Sequence, residues 1–323
     1  MAKVLVTGAA GFIGGAVANA LLARGDTVIG VDNLSDYYDV ALKQARLAQL
    51  TPQPNFHFQQ IDISDRNKML KLGADVHGID GIVHLAAQPG VRYSLENPYA
   101  YVTANVMGQV VMLELARTLS ALKHFVYASS SSVYGANTKT PFTVGDAVDH
   151  PNSLYAATKR ADELFSHSYA HLYGVPATGL RFFTVYGPWG RPDMAPMLFA
   201  KAISAGKPIQ VFNHGEMWRD FTFIDDIVDG VLRALDRPAA GSPPHAIYNL
   251  GNHKSEKLTT FIAEIETALN KKAFLEMAPM HPGDVTTTYA DIAAATRDLG
   301  FDPKTPISVG IPKFVDWFRQ YYC

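Results

Sequence analysis

Lys3-Val-Leu-Val-Thr7-Gly8-Ala-Ala-Gly11-Phe12-Ile13-Gly14 opens the chain, and its reading decides the fold. The first residues form an apolar run with β-branched members. Glycines then interrupt it, and an Ala/Leu-rich stretch with helical periodicity continues to Arg24. The order is strand, glycine turn, helix. Gly8, Gly11 and Gly14 permit a tight turn and let the backbone approach a pyrophosphate, whose charge meets the amide dipoles at a helix N-terminus. A second strand, Thr27 to Asp32, ends on a carboxylate 24 positions after Gly8. A dinucleotide site needs an acceptor there for the adenosine ribose hydroxyls. A negative charge at Asp32 repels a 2′-phosphate, so NAD is expected rather than NADP.

Downstream, strand-like segments at Phe56–Gln60, Gly81–Leu85, His124–Ser129, Ala177–Phe182 and Ile247–Leu250 alternate with helix-like ones. The helical candidates are Val40–Leu50, Tyr101–Leu119, Tyr155–Tyr173 and Asp225–Leu235. This alternation predicts an α/β fold with a doubly wound parallel sheet of the Rossmann type. From about Val185 the pattern loosens, and Gly187-Pro-Trp-Gly-Arg-Pro192, Ala240-Gly-Ser-Pro-Pro244 and Met280-His-Pro-Gly-Asp284 read as turns. The expected division is a dinucleotide-binding domain over residues 1–183, rejoined by 221–252. A smaller C-terminal α/β substrate lobe is expected from 184–220 and 253–323.

With 323 residues, 48% of them hydrophobic, the chain can bury a large core. Its formal charge of -2 offers no basic field to a nucleic acid. No apolar run reaches membrane-spanning length, and the N-terminus enters a strand without a signal-peptide pattern. Cys323, the single cysteine, cannot form an internal disulfide, which fits a cytoplasmic setting.

The chemistry is concentrated in Tyr155-Ala-Ala-Thr-Lys159, where a phenol and an ammonium four residues apart share one helix face. A unit positive charge ~4 Å from the phenol, at an effective dielectric of ~20, favours the phenolate by ~4 kcal/mol. That makes a tyrosine usable as a base near neutrality. Ligands of open parallel sheets lie beyond the carboxyl ends of the strands. There Leu85-Ala86-Ala87-Gln88 would let backbone lie against a cofactor, and Ser129-Ser130-Ser131-Ser132 could place a hydroxyl against a reacting oxygen.

These motifs occur in order, together with His84-Leu-Ala-Ala, Val133-Tyr134-Gly135 and the late string Arg219-Asp-Phe-Thr-Phe-Ile-Asp225. On them the chain resembles, over essentially its whole length, the extended short-chain dehydrogenase/reductases of the nucleotide-sugar type. Three longer strings are similar to those of UDP-glucuronate 4-epimerases: Asp36-Tyr-Tyr-Asp-Val-Ala-Leu-Lys-Gln-Ala-Arg46, Gln88-Pro-Gly-Val-Arg92-Tyr-Ser94, and the stretch from Arg181 through Thr184 and Arg191 to Met194.

The resemblance implies bound NAD, with Phe12, Ile13, Asp62, Ile63, Leu85, Ala86, Ala87 and Asn105 beside it. It makes Tyr155 the base that takes the proton of a sugar 4-hydroxyl, with Lys159 reaching the nicotinamide ribose. Hydrogen borrowed from C4 would return on the opposite face of a transient 4-keto sugar. Counting four residues back from Tyr134 selects Ser130 for the reacting oxygen, with Ser131 and Ser132 as neighbours able to substitute. Dehydratases and decarboxylases of the family carry an acidic residue just before Val-Tyr. Ser132 stands there instead, which favours simple epimerisation.

On the substrate side, Arg191 and Thr184 are expected to hold the carboxylate of UDP-glucuronate, with Pro89 and Arg92 near the sugar. Arg219 is expected at the diphosphate, and Gln210, Phe212 and Asp284 at uracil and ribose. The resemblance also implies a homodimer through the helices that begin near Tyr101 and Tyr155. Two alternatives stand beside this reading: a UDP-glucose/UDP-galactose-type 4-epimerase acting on a neutral sugar, against which Arg191 argues, and a non-catalytic NAD-binding regulator.

Overall fold

The computed structural model describes residues 1–280 and 284–323, so the turn expected over 280–284 lies in part outside the described residues. The first half alternates β1 (Lys3–Thr7), α1 (Phe12–Ala23), β2 (Thr27–Asp32), α2 (Val40–Leu50), β3 (Phe56–Gln60), α3 (Arg66–Asp75) and β4 (Gly81–His84). Two short helices follow, α4 (Tyr93–Glu96) and α5 (Pro98–Tyr101), then a π-helical segment (Val102–Met107) and α6 (Gly108–Thr118). Next come β5 (His124–Ser130), α7 (Leu154–Tyr173), β6 (Ala177–Phe182), β7 (Thr184–Tyr186), α8 (Ala195–Ser204) and β8 (Pro208–Val211). The remainder is β9 (Trp218–Phe223), α9 (Ile224–Leu235), β10 (His245–Leu250), β11 (Ser255–Lys257), α10 (Leu258–Leu269), β12 (Phe274–Met277), α11 (Ala293–Leu299) and α12 (Ile307–Tyr322).

Seven strands form one sheet in the order β10-β6-β5-β4-β1-β2-β3, and every pairing in it is parallel. Successive side chains of a strand point to opposite faces, and helices cover both faces of a parallel sheet. The central strands β1, β4, β5 and β6 are therefore buried almost throughout, while the edge strand β3, Phe-His-Phe-Gln-Gln, is largely exposed. Val4 and Val6 of β1 enter one core while Leu5 enters the other, and Val126 of β5 is separated in the same way from Phe125 and Tyr127. Val17 and Leu21 of α1 and Ile227 and Val231 of α9 close the first face. Met69 of α3 and Met112 and Leu115 of α6 close the second. This is the doubly wound architecture that the alternation predicts.

Residues 184–277 add a three-stranded sheet, β11-β9-β7, and a two-stranded one, β12-β8. The first core continues unbroken into this lobe through Phe199, Phe261, Phe314 and Phe318, and Phe221 stacks on Phe261 at 3.9 Å between ring centroids. The lobe thus shares its apolar interior with the main sheet. Among the described residues no helix is long and apolar enough to cross a membrane.

The helix expected over Tyr101–Leu119 is divided. Pro98 starts a separate turn in which Asn97 Oδ1 accepts from Ala100 N, and Val102–Met107 is wound as a π-helix before α6 begins. The extra residue in each turn changes which side chains face inward. It is there that Asn105 is buried, its carboxamide spent on the backbone of Gln88 and on Thr158 Oγ1. Hydrophobic period does not reveal such a bulge.

An ionic network fixes α7 to the sheet. Arg181 of β6, 1% exposed, forks onto Glu163 of α7 through Nε–Oε1 at 2.8 Å and Nη2–Oε2 at 2.9 Å. Ser129 Oγ donates to the same carboxylate at 2.6 Å, and Arg181 Nη1 donates to Tyr134 Oη at 3.0 Å. Burial alone would raise the Glu163 carboxyl, but the Arg181 guanidinium prevails and holds it below the usual range. Glu163→Ala leaves Arg181 as an unpaired buried charge and should cost ~3–5 kcal/mol. The urea midpoint should fall accordingly, and adding Arg181→Leu should recover part of the loss.

Candidate active site

The glycine turn is set by close approaches of backbone to backbone. Gly8 has φ +73, and a Cβ on it would lie 2.9 Å from Ala86 N. A Cβ on Gly14 would lie 2.0 Å from Gly8 O. Gly8 N donates to Val31 O and Gly11 N to Gly8 O, which folds the turn over the ends of β1 and β2. Helix α1 then begins with no side-chain cap and no acidic residue in its first turn, so its leading N–H groups stay open to an anion.

Around that turn a cavity of about 370 Å³ is lined by Gly8, Gly11, Phe12, Ile13, Gly14, Asp32, Asp62, Ile63, Leu85, Ala86 and Ala87. Pro89, Ser130, Tyr155 and Lys159 also border it. Asp32 Oδ2 accepts from Ala10 N at 3.1 Å and Oδ1 from Leu34 N at 2.8 Å, so the carboxylate shapes the turn and keeps acceptor capacity toward the cavity. Asp62 accepts from Ser64 N, Ser64 Oγ and Asn33 Nδ2. Burial opposes its ionisation, yet these bonds hold its carboxyl below the ordinary value.

Asn105, expected beside the cofactor, is buried next to this lining, where Ala104 stands. Its side-chain bonds tie the loop after β4 to α7, so it supports the cavity wall from behind. Residues not anticipated from sequence join the wall: Lys43, whose Nζ donates to Ser35 Oγ at 2.9 Å, together with Tyr37 and Tyr38. All three belong to the Asp36–Arg46 string, but nothing in their spacing pointed them to this cavity.

Tyr155 stands half-buried on the wall with its ring edge-to-face against Tyr101 at 6.0 Å. One turn on, Lys159 Nζ donates to Ala128 O at 2.9 Å and to Asp162 Oδ2 at 3.0 Å, which leaves one of its three donors. Ser130 Oγ accepts from Ser132 N at 3.1 Å, so its own hydrogen is available to an oxygen in the cavity. Ser129 is excluded from that role because its hydroxyl is spent on Glu163. His84 is held neutral beneath the site: burial pushes it down to about 3, the Lys159 charge adds to the effect, and its Nδ1 meets Thr7 Oγ1 at 2.7 Å.

A second cavity of about 850 Å³ adjoins the first, and Ser131, Ser132, Thr184 and Arg191 line both. Arg92, Gln210, Phe212, Arg219 and Asp284 line the larger one. Arg92 lies over the Phe212 ring at 4.5 Å and faces Asp284 Oδ2 at 3.5 Å. Burial lowers the Arg219 guanidinium from its ordinary value, opposed by Asp284, and its Nη1 donates to the carbonyls of Trp218 and Thr286.

Arg191 Nε and Nη2 bond Asp193, whose Oδ2 also accepts from Tyr37 Oη at 3.1 Å. Three of the five guanidinium N–H groups remain. Arg46 sets the loop before Arg191: it donates to Trp189 O at 2.6 Å, to Gly190 O and to Ala10 O, which links that loop to the glycine turn. Trp189 has φ +65, a left-handed conformation rare for a bulky residue, and packs against Trp317 and Tyr321. Asp193 and Arg46 both lie inside quoted strings, but only the folded chain shows what they touch.

A parallel sheet with a glycine turn at its switch point, and a Tyr/Lys pair beside a large polar cavity, defines a dinucleotide-binding enzyme fold that works on a second ligand. The family model described as "NAD dependent epimerase/dehydratase family" matches residues 4–251, and the chain belongs to that family. UDP-glucuronate 4-epimerase 4 of Arabidopsis thaliana is 47% identical over 335 residues, which cover 99% of this chain and 76% of that protein. The crystal structure of UDP-glucuronic acid 4-epimerase from Bacillus cereus, in complex with UDP-glucuronic acid and NAD, superposes with a TM-score of 0.92 at 34% identity, covering 99% of this chain and 100% of that one. UDP-glucose 4-epimerase of Thermotoga maritima, solved with UDP-glucose, gives a TM-score of 0.87 at 29% identity, covering 98% and 99%.

Gly14→Ala forces a methyl onto Gly8 O, backbone that can yield only if the turn shifts. Stability should drop by ~1–3 kcal/mol, read as a lower denaturant midpoint at unchanged slope.

Proposed function

We propose that the protein inverts C4 of UDP-glucuronate to give UDP-galacturonate, with NAD in the smaller cavity and the nucleotide sugar in the larger one. The observation that carries this reading is the placement of Arg191 and Thr184 on the wall shared by the two cavities, the smaller of which Tyr155 lines. There a cation meets a sugar whose reacting carbon faces the base. An arginine fork matches a carboxylate in a way that a neutral hydroxymethyl group cannot.

The smaller cavity fits NAD on its own chemistry: a glycine cradle that any Cβ would fill, open amides at the start of α1, and the Asp32 carboxylate at the end of β2. Bound there, the nicotinamide supplies a reversible acceptor for the hydrogen of C4. Every other role falls to side chains. Tyr155 takes the 4-hydroxyl proton and later returns it. Ser130 donates to the same oxygen, and the third donor of Lys159 is left for a ribose hydroxyl. Arg219 meets the diphosphate, while Gln210, Phe212 and Asp284 surround the nucleoside.

The 4-keto uronic acid is a β-keto acid, which loses CO₂ when the breaking bond aligns with the carbonyl π system. Arg191 and Thr184 hold that bond out of alignment. Because Asp193 and Tyr37 already fix the Arg191 guanidinium, it arrives at the carboxylate oriented. With Asp193 as an acceptor, burial raises the Tyr37 hydroxyl to about 12, so Tyr37 stays a donor at neutral pH. Two copies of the chain pair through the helices that leave Leu95, Tyr99, Met107, Leu164 and Leu172 exposed.

Incubating the purified protein with UDP-glucuronate should produce UDP-galacturonate, and the absence of that product overturns the reading. Tyr155→Phe should lower turnover ~10²–10⁴-fold. Arg191→Ala removes a charge-assisted bond worth ~1.5–3 kcal/mol and should lower kcat/KM for the acid ~10- to 100-fold. It should also release a decarboxylated UDP-pentose, detected by mass spectrometry. Equal handling of UDP-glucuronate and UDP-glucose by the unaltered protein would favour the neutral-sugar alternative.

A further inference from the structure

Lys159 does not stand as a bare cation. Asp162, three residues further along α7, holds its ammonium at 3.0 Å, with the two side chains 5% and 2% exposed. The second carboxylate oxygen, Asp162 Oδ1, is buried with no hydrogen-bond partner among the described residues. A buried carboxylate with an unused acceptor is unfavourable unless its charge serves something. Anchoring Lys159 does not by itself require that charge, because Ala128 O already accepts from it and a neutral acceptor on α7 would serve as well.

Tyr155 lies seven residues before Asp162 on the same helix, ~10.5 Å along its axis. At that range inside a protein, a carboxylate offsets part of the field that Lys159 exerts on the phenol. Resting on the epimerase reading above, we propose that Asp162 is a positioning residue for the reaction: it fixes Lys159 and offsets part of the positive field that Lys159 sets at the Tyr155 hydroxyl. The offset matters because the reaction runs through Tyr155 twice. The proton taken from the sugar oxygen must go back to it, so a phenolate stabilised too strongly would be a good base and a poor acid.

Tyr155 itself is faced by Arg191, a cation whose charge couples to it, and by Tyr101, whose own hydroxyl burial holds protonated; both stay as they are when Asp162 changes, and the groups around Asp162 are the following. On α7 the only charges facing it are Lys159 and Glu163, and Glu163 is matched by the buried Arg181 fork of β6 and by Arg160. From β5 the facing group is Tyr127, held protonated by burial and bonded to His245 of β10. From β4, His84 lies toward Lys159 and stays neutral. The π-helical segment and α6 contribute Asn105 and Gln109, both uncharged and bonded to Thr158 and Ser166. Burial pushes the Asp162 carboxyl up to about 6 against the pull of Lys159, so it is ionised at neutral pH and loses its charge on mild acidification.

The test is an ultraviolet titration of tyrosinate on the holoenzyme, with the Tyr155 signal isolated as the difference between each protein and its Tyr155→Phe counterpart. Asp162→Asn removes the charge and keeps the shape, so the Tyr155 midpoint should move ~1 pH unit lower. The acidic limb of kcat/KM for UDP-glucuronate should move the same way. Asp162→Ser gives the same comparison if the asparagine variant does not fold. An unmoved midpoint in a folded variant overturns the proposal, including the case in which activity falls, since a purely structural role would leave the midpoint in place. The titration needs no turnover, so a protein that fails to convert UDP-glucuronate would sink the functional reading while this result stays legible.

Discussion

Helix α7 must carry charged groups into the interior and hold them still, and the rest of the site depends on how that is done. Glu163 faces inward because Arg181 is there to meet it, and the pair is closed further by Ser129 and Tyr134. A buried ion pair adds little net stability, but breaking it strands a charge. What the pair provides is register. It ties α7 to β5 and β6 at one depth, and Lys159 reaches Ala128 O at the end of β5 only in that register. Tyr155, one turn earlier, is thereby placed on the cavity wall.

The same economy of polar groups governs the loop that bears Arg191. A Pro/Gly-rich segment has little regular structure to define it, so its geometry comes from outside. Arg46 reaches from α2 to three carbonyls, two in that loop and one in the glycine turn, and so makes the glycine cradle and the Arg191 loop a single mechanical unit. Trp189 is pinned in a left-handed conformation against Trp317 and Tyr321 of α12. Strain of this kind persists only where surrounding contacts over-determine it. The lobe and the main sheet share one apolar core, so these contacts do not depend on a flexible hinge between separate bodies.

Much of this was legible in sequence because its causes are local. The glycine turn announces itself because only glycine fits where Cβ atoms would meet backbone, as at Gly8 and Gly14. The central strands read as strands because parallel sheets bury both faces. Tyr155 and Lys159 read as a pair because helical spacing puts them on one face. Where the cause was not local, the reading was incomplete. The π-helical turn at Val102–Met107 has no signature in apolar period. The short strands of the lobe, three to six residues each, follow edges and turns rather than alternation. Nothing in the sequence showed that the Asn105 carboxamide bonds Gln88 and Thr158, which lie 17 and 53 positions away.

By itself, then, the sequence determined the α/β class, the succession of strand, glycine turn and helix at the N-terminus, the acidic end of β2 and the residue types available to act on a substrate. These follow from backbone sterics and periodicity, which act between neighbours along the chain. Only the tertiary structure decided which charges are paired and which are left to work: Arg181 with Glu163, Lys159 with Asp162, Arg191 with Asp193. A charge is neutralised or left effective by what packs around it and by how much water remains, and that depends on elements far apart in the chain.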